Sequence, residues 1–169
     1  PSVSCSTVDF SGFTAGTNIT NQLASQGIAS VTATGGIGQA WIFNSGSPTG
    51  GDYDLGTPNQ QFNGPGIGGG GASNNVALGN VLIIQENGGS PDDNAGGGDL
   101  DFTFTGARTV TSVTVIDIEA SNDYIELLTT NGVVTVTIPS TGNNGVVQVP
   151  VNTDNVLSMR VHFSGSGAV

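Results

Sequence analysis

Apolar and polar residues alternate with a period of two along much of the chain, the pattern of strands with one buried face. Leu100, Phe102 and Phe104 interleave with Asp101, Thr103 and Thr105, and Leu157, Met159, Val161 and Phe163 interleave with Ser158, Arg160 and His162. Tyr124–Thr130 and Val133–Ile138 flank Asn131-Gly132, a hairpin signal because both residues tolerate positive φ. Val81–Ile84 is a solid apolar run, as expected for a strand buried on both faces. Further strands are expected at Val3–Phe10, Ile28–Thr34, Ala40–Asn44, Val110–Ile118 and Val146–Val151, with Pro139 and Pro150 at strand ends. The only helical feature is one short turn within Thr20–Ala29.

About nine or ten short strands separated by Gly/Asn/Pro turns predict an all-β fold, an antiparallel two-sheet β-sandwich of jelly-roll-like form. At 169 residues the chain suits a single domain spanning 1–169. From Asn44 to Gly79 glycine, proline, asparagine and serine dominate, including Gly68–Gly71. A long loop of this kind in a compact domain is usually functional or disordered. Its first half, with Asp52, Tyr53, Asp54, Leu55 and Phe62, is expected to be pinned to the body.

Composition changes the picture in one respect. Charged residues make up only 9% of the chain, against roughly 25% in ordinary soluble domains. Thirteen acidic residues face two arginines, Arg108 and Arg160, with no lysine, for a net charge of −11. That charge repels phosphate backbones and anionic membranes, which argues against nucleic acid and membrane insertion. No apolar run approaches the ~18 residues of a membrane span. The chain starts at Pro1, so it is read as a processed form or an excised fragment.

The acids cluster. Asp52 and Asp54 lie in Gly51–Gly56, Asp92, Asp93 and Asn94 follow Ser90-Pro91, and Asp117 and Glu119 sit two apart on an expected strand. Calcium takes six to eight oxygen ligands, and glycine-rich turns let backbone carbonyls join carboxylates around it. No single cluster supplies that many, so a calcium site has to combine them; solvated turn acids are the alternative. The spacing is not that of an EF-hand. The face carrying Val113, Val115, Asp117 and Glu119 turns from apolar to acidic midway. Either the strand leaves the core there, a bulge switches its faces, or an ion sits at its end.

Catalytic sets are poorly represented. Asp pairs alone do not identify a glycosidase, His162 alternates outward on its strand with no Gly-x-Ser-x-Gly elbow, and no Gly-rich run is followed by the lysine of a phosphate loop. Cys5 is the only cysteine; a lone thiol cross-links two chains or lies buried, and burial is the usual fate. Trp41 and Tyr53 are candidates to stack on sugar rings if exposed, although Trp41 lies in the apolar run Ala40–Phe43 and is expected in the core. Asn18-Ile19-Thr20 is the only glycosylation sequon.

Several stretches together carry a resemblance. Phe10 through Gly16-Thr17, Pro48–Asn59 (PTGGDYDLGTPN), Leu78–Glu86, Pro91–Asn94 and Gly165–Val169 are similar to segments of β-sandwich domains in secreted bacterial surface proteins of the exosortase-anchored, PEP-CTERM type. The resemblance spans most of the chain and implies an extracellular, cell-surface location and a jelly-roll-like fold more than a defined activity. Members often carry a C-terminal sorting anchor, which these residues lack.

These observations favour a non-enzymatic, calcium-stabilised extracellular structural or adhesive module. It is expected to self-assemble into a homo-oligomer, filament or matrix. The segment Pro1–Phe10, with Val3 and Cys5, resembles a free strand that completes a neighbour's sheet. A carbohydrate-binding module for extracellular glycans is the alternative, and a glycan-active hydrolase ranks third.

Overall fold

The computed structural model describes residues 5–59 and 73–169. Val3, Phe62 and Gly68–Gly71 fall outside them. Among the described residues seven strands form the fold: β1 (Ile28–Thr34), β2 (Ala40–Asn44), β3 (Asn80–Ile84), β4 (Gly98–Ile116), β5 (Tyr124–Thr129), β6 (Gly132–Thr137) and β7 (Val146–Phe163). A five-stranded antiparallel sheet in the order β1-β4-β7-β5-β6 packs against the antiparallel pair β2-β3. The all-β sandwich read from the alternation is therefore the architecture observed. The only helical elements among the described residues are two 3-10 turns, Ala24–Gln26 and Tyr53–Leu55.

The strand count is lower than expected because two pairs of predicted strands fuse. Leu100–Phe104 and Val110–Ile116 belong to one strand, β4, and Val146–Val151 and Leu157–Phe163 to another, β7. Both run continuously because their pairing shifts register between Thr103 and Ser112, and these irregularities let the ribbon bend without ending. Pro150 accordingly lies inside β7, opposite Ser112 at the last shift, where a missing amide donor is tolerated. The hairpin also differs in detail. Thr129 pairs with Gly132, so Thr130 and Asn131 occupy the turn, and Gly132 is the residue with positive φ.

Segment Val3–Phe10 is not the strand expected over its described part: Cys5–Phe10 carries no ladder. The Gln26 side chain accepts from Asp9 N (3.0 Å) and donates to Asp9 O (2.9 Å), taking the main-chain groups that a strand partner would use. With no sheet over it, Cys5 is exposed rather than buried.

Parity of the strands sets the core. Leu100, Phe102, Val161, Phe163, Ile125 and Leu127 point inward and join Ile42, Leu82 and Ile84 between the sheets. At roughly 2 kcal/mol per fully buried aliphatic or aromatic side chain, this layer is the main source of stability. β3 is buried on both faces, as its unbroken apolar run requires. Leu82 and Ile84 face the main core, while Val81 and Ile83 meet Phe43, Leu55, Ile116 and Ala168 in a second cluster. Leu55 therefore anchors the first half of the long loop against the back of β2-β3, and Ser45 and Thr57 seal its ends with a hydroxyl pair at 2.6 Å. Trp41 packs half-buried against the same cluster, its indole N–H donating to Gln39 at 2.7 Å.

The outer face of the large sheet carries polar and charged residues, with an exposed apolar pair, Leu128 and Val133, on β5 and β6. Arg160 makes a two-pronged contact with Asp101 (2.8 and 3.3 Å). His162 holds Asp99 at 2.7 Å and stacks on Tyr124, ring centroids 4.6 Å apart.

A candidate metal centre between the loops

Three loops reach one end of the sandwich for separate reasons. Burial of Leu55 carries Asp52 and Asp54 there on the 3-10 turn. The segment after β3 turns back through a Gln85–Asp93 bridge, delivering Asp93. β4 stops at Ile116 because Asp117 takes the left-handed conformation, φ 65°, which disfavours continuation for a non-glycine residue. The strand thus leaves its ladder at the acidic step in its pattern. Asp117 turns into the protein, and Glu119 emerges exposed.

The carboxylates are held by fixed donors. Asp52 Oδ2 accepts from the Asp93 backbone N–H at 2.8 Å. Asp93 Oδ2 accepts from Ser166 Oγ at 2.6 Å and from Gly167 N at 2.9 Å. Gly167 has φ 154°, and a Cβ there would lie 2.9 Å from the Phe163 ring and 3.0 Å from Ile118 Cδ1. Only glycine brings this amide to Asp93. Asp117 Oδ1 accepts from Asn144 N at 2.7 Å, and the Asn144 amide donates to the carbonyls of Asp54 and Gly56, tying the loop before β7 to the Asp52–Asp54 turn.

Among the described residues no cationic side chain forms an ion pair with these carboxylates. Arg160 and His162, which make the ion pairs found among the described residues, engage Asp99 and Asp101 on the outer face. Burial, with repulsion from Asp93, Asp92 and Asp54, pushes Asp52 up to about 8. Burial likewise raises Asp93, with Asp54 adding to the effect. Asp117 rises to about 7, first through burial and then through repulsion from Asp54 and Glu119. Asp54 therefore acts on all three other acids, which places Asp52, Asp54, Asp93 and Asp117 in one electrostatic unit.

Two buried acceptors, one in this unit and one on the residue bonded to it, have no hydrogen-bond partner. Asp117 is fully buried with Oδ2 unpaired, and Asn144 is fully buried with Oδ1 unpaired. An unpaired buried acceptor costs about 1–3 kcal/mol, and two on residues bonded to each other mark a place suited to a positive charge. The donor set is all oxygen, the chemistry of a hard divalent cation. Among the described residues, however, no three acidic, histidine or cysteine side chains already converge in a ligand cage.

The remaining expected ligands lie apart. Asp92 turns to Asn87 Nδ2 at 2.7 Å and acts on Asp52 only through its charge. Asn94 closes its own turn by donating to Gly97 O. Ser166 and Asn144 went unnoticed in the sequence. Asn144-Gly145 reads as an ordinary turn dipeptide, and nothing local says that it meets Asp117. Tyr53, between two of the clustered acids, is 61% exposed at the rim. Among the described residues no helix is long and apolar enough to cross a membrane. The chain matches no family model, no curated protein and no solved structure.

Proposed function

We propose that this chain is a non-enzymatic extracellular structural module whose sandwich is locked at one end by calcium. The observation that carries the reading is the fully buried Asp117, with Oδ2 unpaired beside the acids of three different loops. A bound cation turns their mutual repulsion into attraction and joins the Asp52–Asp54 turn, the Asp93 turn, Asp117 and the Ser166-Gly167 segment. Extracellular calcium modules work with dissociation constants of about 10⁻⁴–10⁻³ M, which a set of carboxylates that must close onto the ion suits. The nearly uncharged Thr/Ser/Asn surface and the resemblance to secreted bacterial surface domains support the extracellular setting and a role as a self-associating building block.

The test is thermal unfolding in EDTA, in magnesium and in calcium. At a hundredfold excess over the dissociation constant, calcium adds about 2.7 kcal/mol, or roughly 5–10 °C for a chain of this size. Identical melting curves in calcium and chelator would end this reading.

Glycan binding is the second reading, favoured by one observation: Tyr53 stands exposed between Asp52 and Asp54, where a sugar ring can stack beside a bound ion. Loss of glycan-array binding in Tyr53→Ala, with an unchanged melting temperature, would establish it. Trp41, half-buried and bonded to Gln39, offers no such platform.

A further inference from the structure

Carboxylates alone do not complete a cation's shell at this end of the sandwich, since no three of them converge among the described residues. The oxygens that gather there without partners are mostly amides. Five side-chain acceptors among the described residues are buried with no hydrogen-bond partner, on Asn59, Asn74, Asp117, Asp123 and Asn144. All but Asp123 belong to one bonded network. Asn74 Nδ2 donates to the Gly56 carbonyl at 2.7 Å, and Asn144 Nδ2 donates to the same carbonyl at 3.0 Å. The Asn59 main-chain N–H donates to Asn74 O at 3.0 Å, and Asn144 N donates to Asp117 Oδ1 at 2.7 Å.

Those bonds fix which way the two amides face. Rotating either would set its Oδ1 against the Gly56 carbonyl, acceptor against acceptor, and for Asn144 against the Asp54 carbonyl as well. Two donors already fill the lone pairs of Gly56 O, so this carbonyl is the pivot of the arrangement. Each Oδ1 sits one planar amide group from its Nδ2, which keeps both within about 5 Å of that pivot. Asn74 and Asn144 are 1% and 0% exposed. A fold that commits its amide donors to one carbonyl and leaves the oxygens dry and unpaired is short of a positive partner.

We infer that the calcium ion is seated on amide oxygens, with Asn74 Oδ1 and Asn144 Oδ1 as ligands beside Asp117 Oδ2, and that this seat selects calcium over magnesium. Resting on the calcium reading above, the seat adds ligands that the acid clusters do not contain. Asparagine carbonyls are ordinary calcium ligands, and calcium accepts them in flexible geometry. Magnesium demands a near-ideal octahedron at about 2.0–2.1 Å and gives up its waters reluctantly, so a dry seat of fixed amides disfavours it. Neutral oxygens also coordinate the ion without adding to the repulsion among Asp52, Asp54, Asp93 and Asp117. The rest of the shell comes from the adjoining Asp52–Asp54 turn, which Asn144 holds through the Asp54 carbonyl.

Two measurements on the full chain test it. In titration calorimetry, wild type should bind calcium about tenfold or more tightly than magnesium. Asn74→Leu keeps the volume and removes the oxygen, and should weaken calcium by about tenfold or more. In ¹³C spectra of labelled wild type, the Asn74 and Asn144 Cγ resonances should move on calcium saturation, while Cγ of Asn131, in the turn between β5 and β6, stays in place. The spectra decide the matter even if Asn74→Leu fails to fold. Where wild type binds calcium, any of three results overturns the amide seat alone. These are an unaltered affinity in Asn74→Leu, magnesium bound as tightly as calcium, and Cγ resonances identical in calcium and EDTA, as expected if trapped water satisfies the amides. A wild type with no calcium response in either heat or melting removes the calcium reading itself, and the amide seat with it.

Discussion

Replacing Asp117 by asparagine removes one charge from the cation pocket at almost no change in volume. Asn Oδ1 can still accept from Asn144 N, so the bond that joins the two turns survives. The thermodynamics follow from the carboxyl pKa, near 7 in the fold against an ordinary 3.8 in the unfolded chain. Below pH 4 both states are protonated and the group contributes nothing. As pH rises the unfolded chain releases the proton while the fold retains it, so cation-free wild type loses stability between pH 4 and 7 and levels off above that. The slope is about 1.4 kcal/mol per pH unit, or about 4 kcal/mol by pH 7 as an upper bound. Asparagine does not titrate and escapes the loss. In EDTA at pH 8 the variant should therefore melt above wild type, by up to roughly 8–16 °C, while at pH 4 the two should coincide. A hundredfold excess of calcium should narrow that gap by about 2.7 kcal/mol, because it stabilises wild type by binding the carboxylate that the variant lacks. Scanning calorimetry at both pH values, with chelator and with calcium, reads all four conditions. A variant less stable than wild type by the same margin at pH 4 and pH 8, with an undiminished response to calcium, would falsify both the electrostatic account of the pocket and its role as a cation site.

The other predictions concern the scaffold. Leu100→Ala empties a fully buried position on β4 between the sheets and should lower stability by about 2–5 kcal/mol; a denaturant midpoint shift worth under 1 kcal/mol would mean the core is looser than its burial indicates. Gly167→Ala places a Cβ 2.9 Å from the Phe163 ring at φ 154° and should cost more than ~1 kcal/mol while weakening calcium binding, since the Gly167 amide orients Asp93. Calorimetry with a calcium titration separates these two effects, and an unaltered calcium affinity would show that Asp93 needs no such orientation.

Most of the fold is legible in the chain because alternation is a local property. Ile28–Thr34 and Ala40–Asn44 have the predicted bounds, and β3, β5 and β6 differ from theirs by a residue. The errors occur where a distant partner decides the outcome. Gly106 and the Thr-rich stretch after it look like a break between two strands, yet β4 runs through them because β7 bends alongside. Val8 and Phe10 look like part of a strand, but the side chain of Gln26 captures the backbone of Asp9. The acids divide in the same way. Clustering in glycine-rich turns singles out Asp52, Asp54, Asp93 and Asp117, and it singles out Asn94 and Glu119 equally, although one closes its own turn and the other faces solvent.

From sequence alone the chain is committed to strands with one or two apolar faces, to a surface almost free of cations, and to carboxylates gathered in turns. Those are properties of neighbouring residues, and neighbours suffice to specify them. Which carboxylates share an environment was left to the tertiary structure. Burial of Leu55 behind β2-β3, the left-handed backbone at Asp117 and the close approach allowed by Gly167 bring together positions distant in the chain.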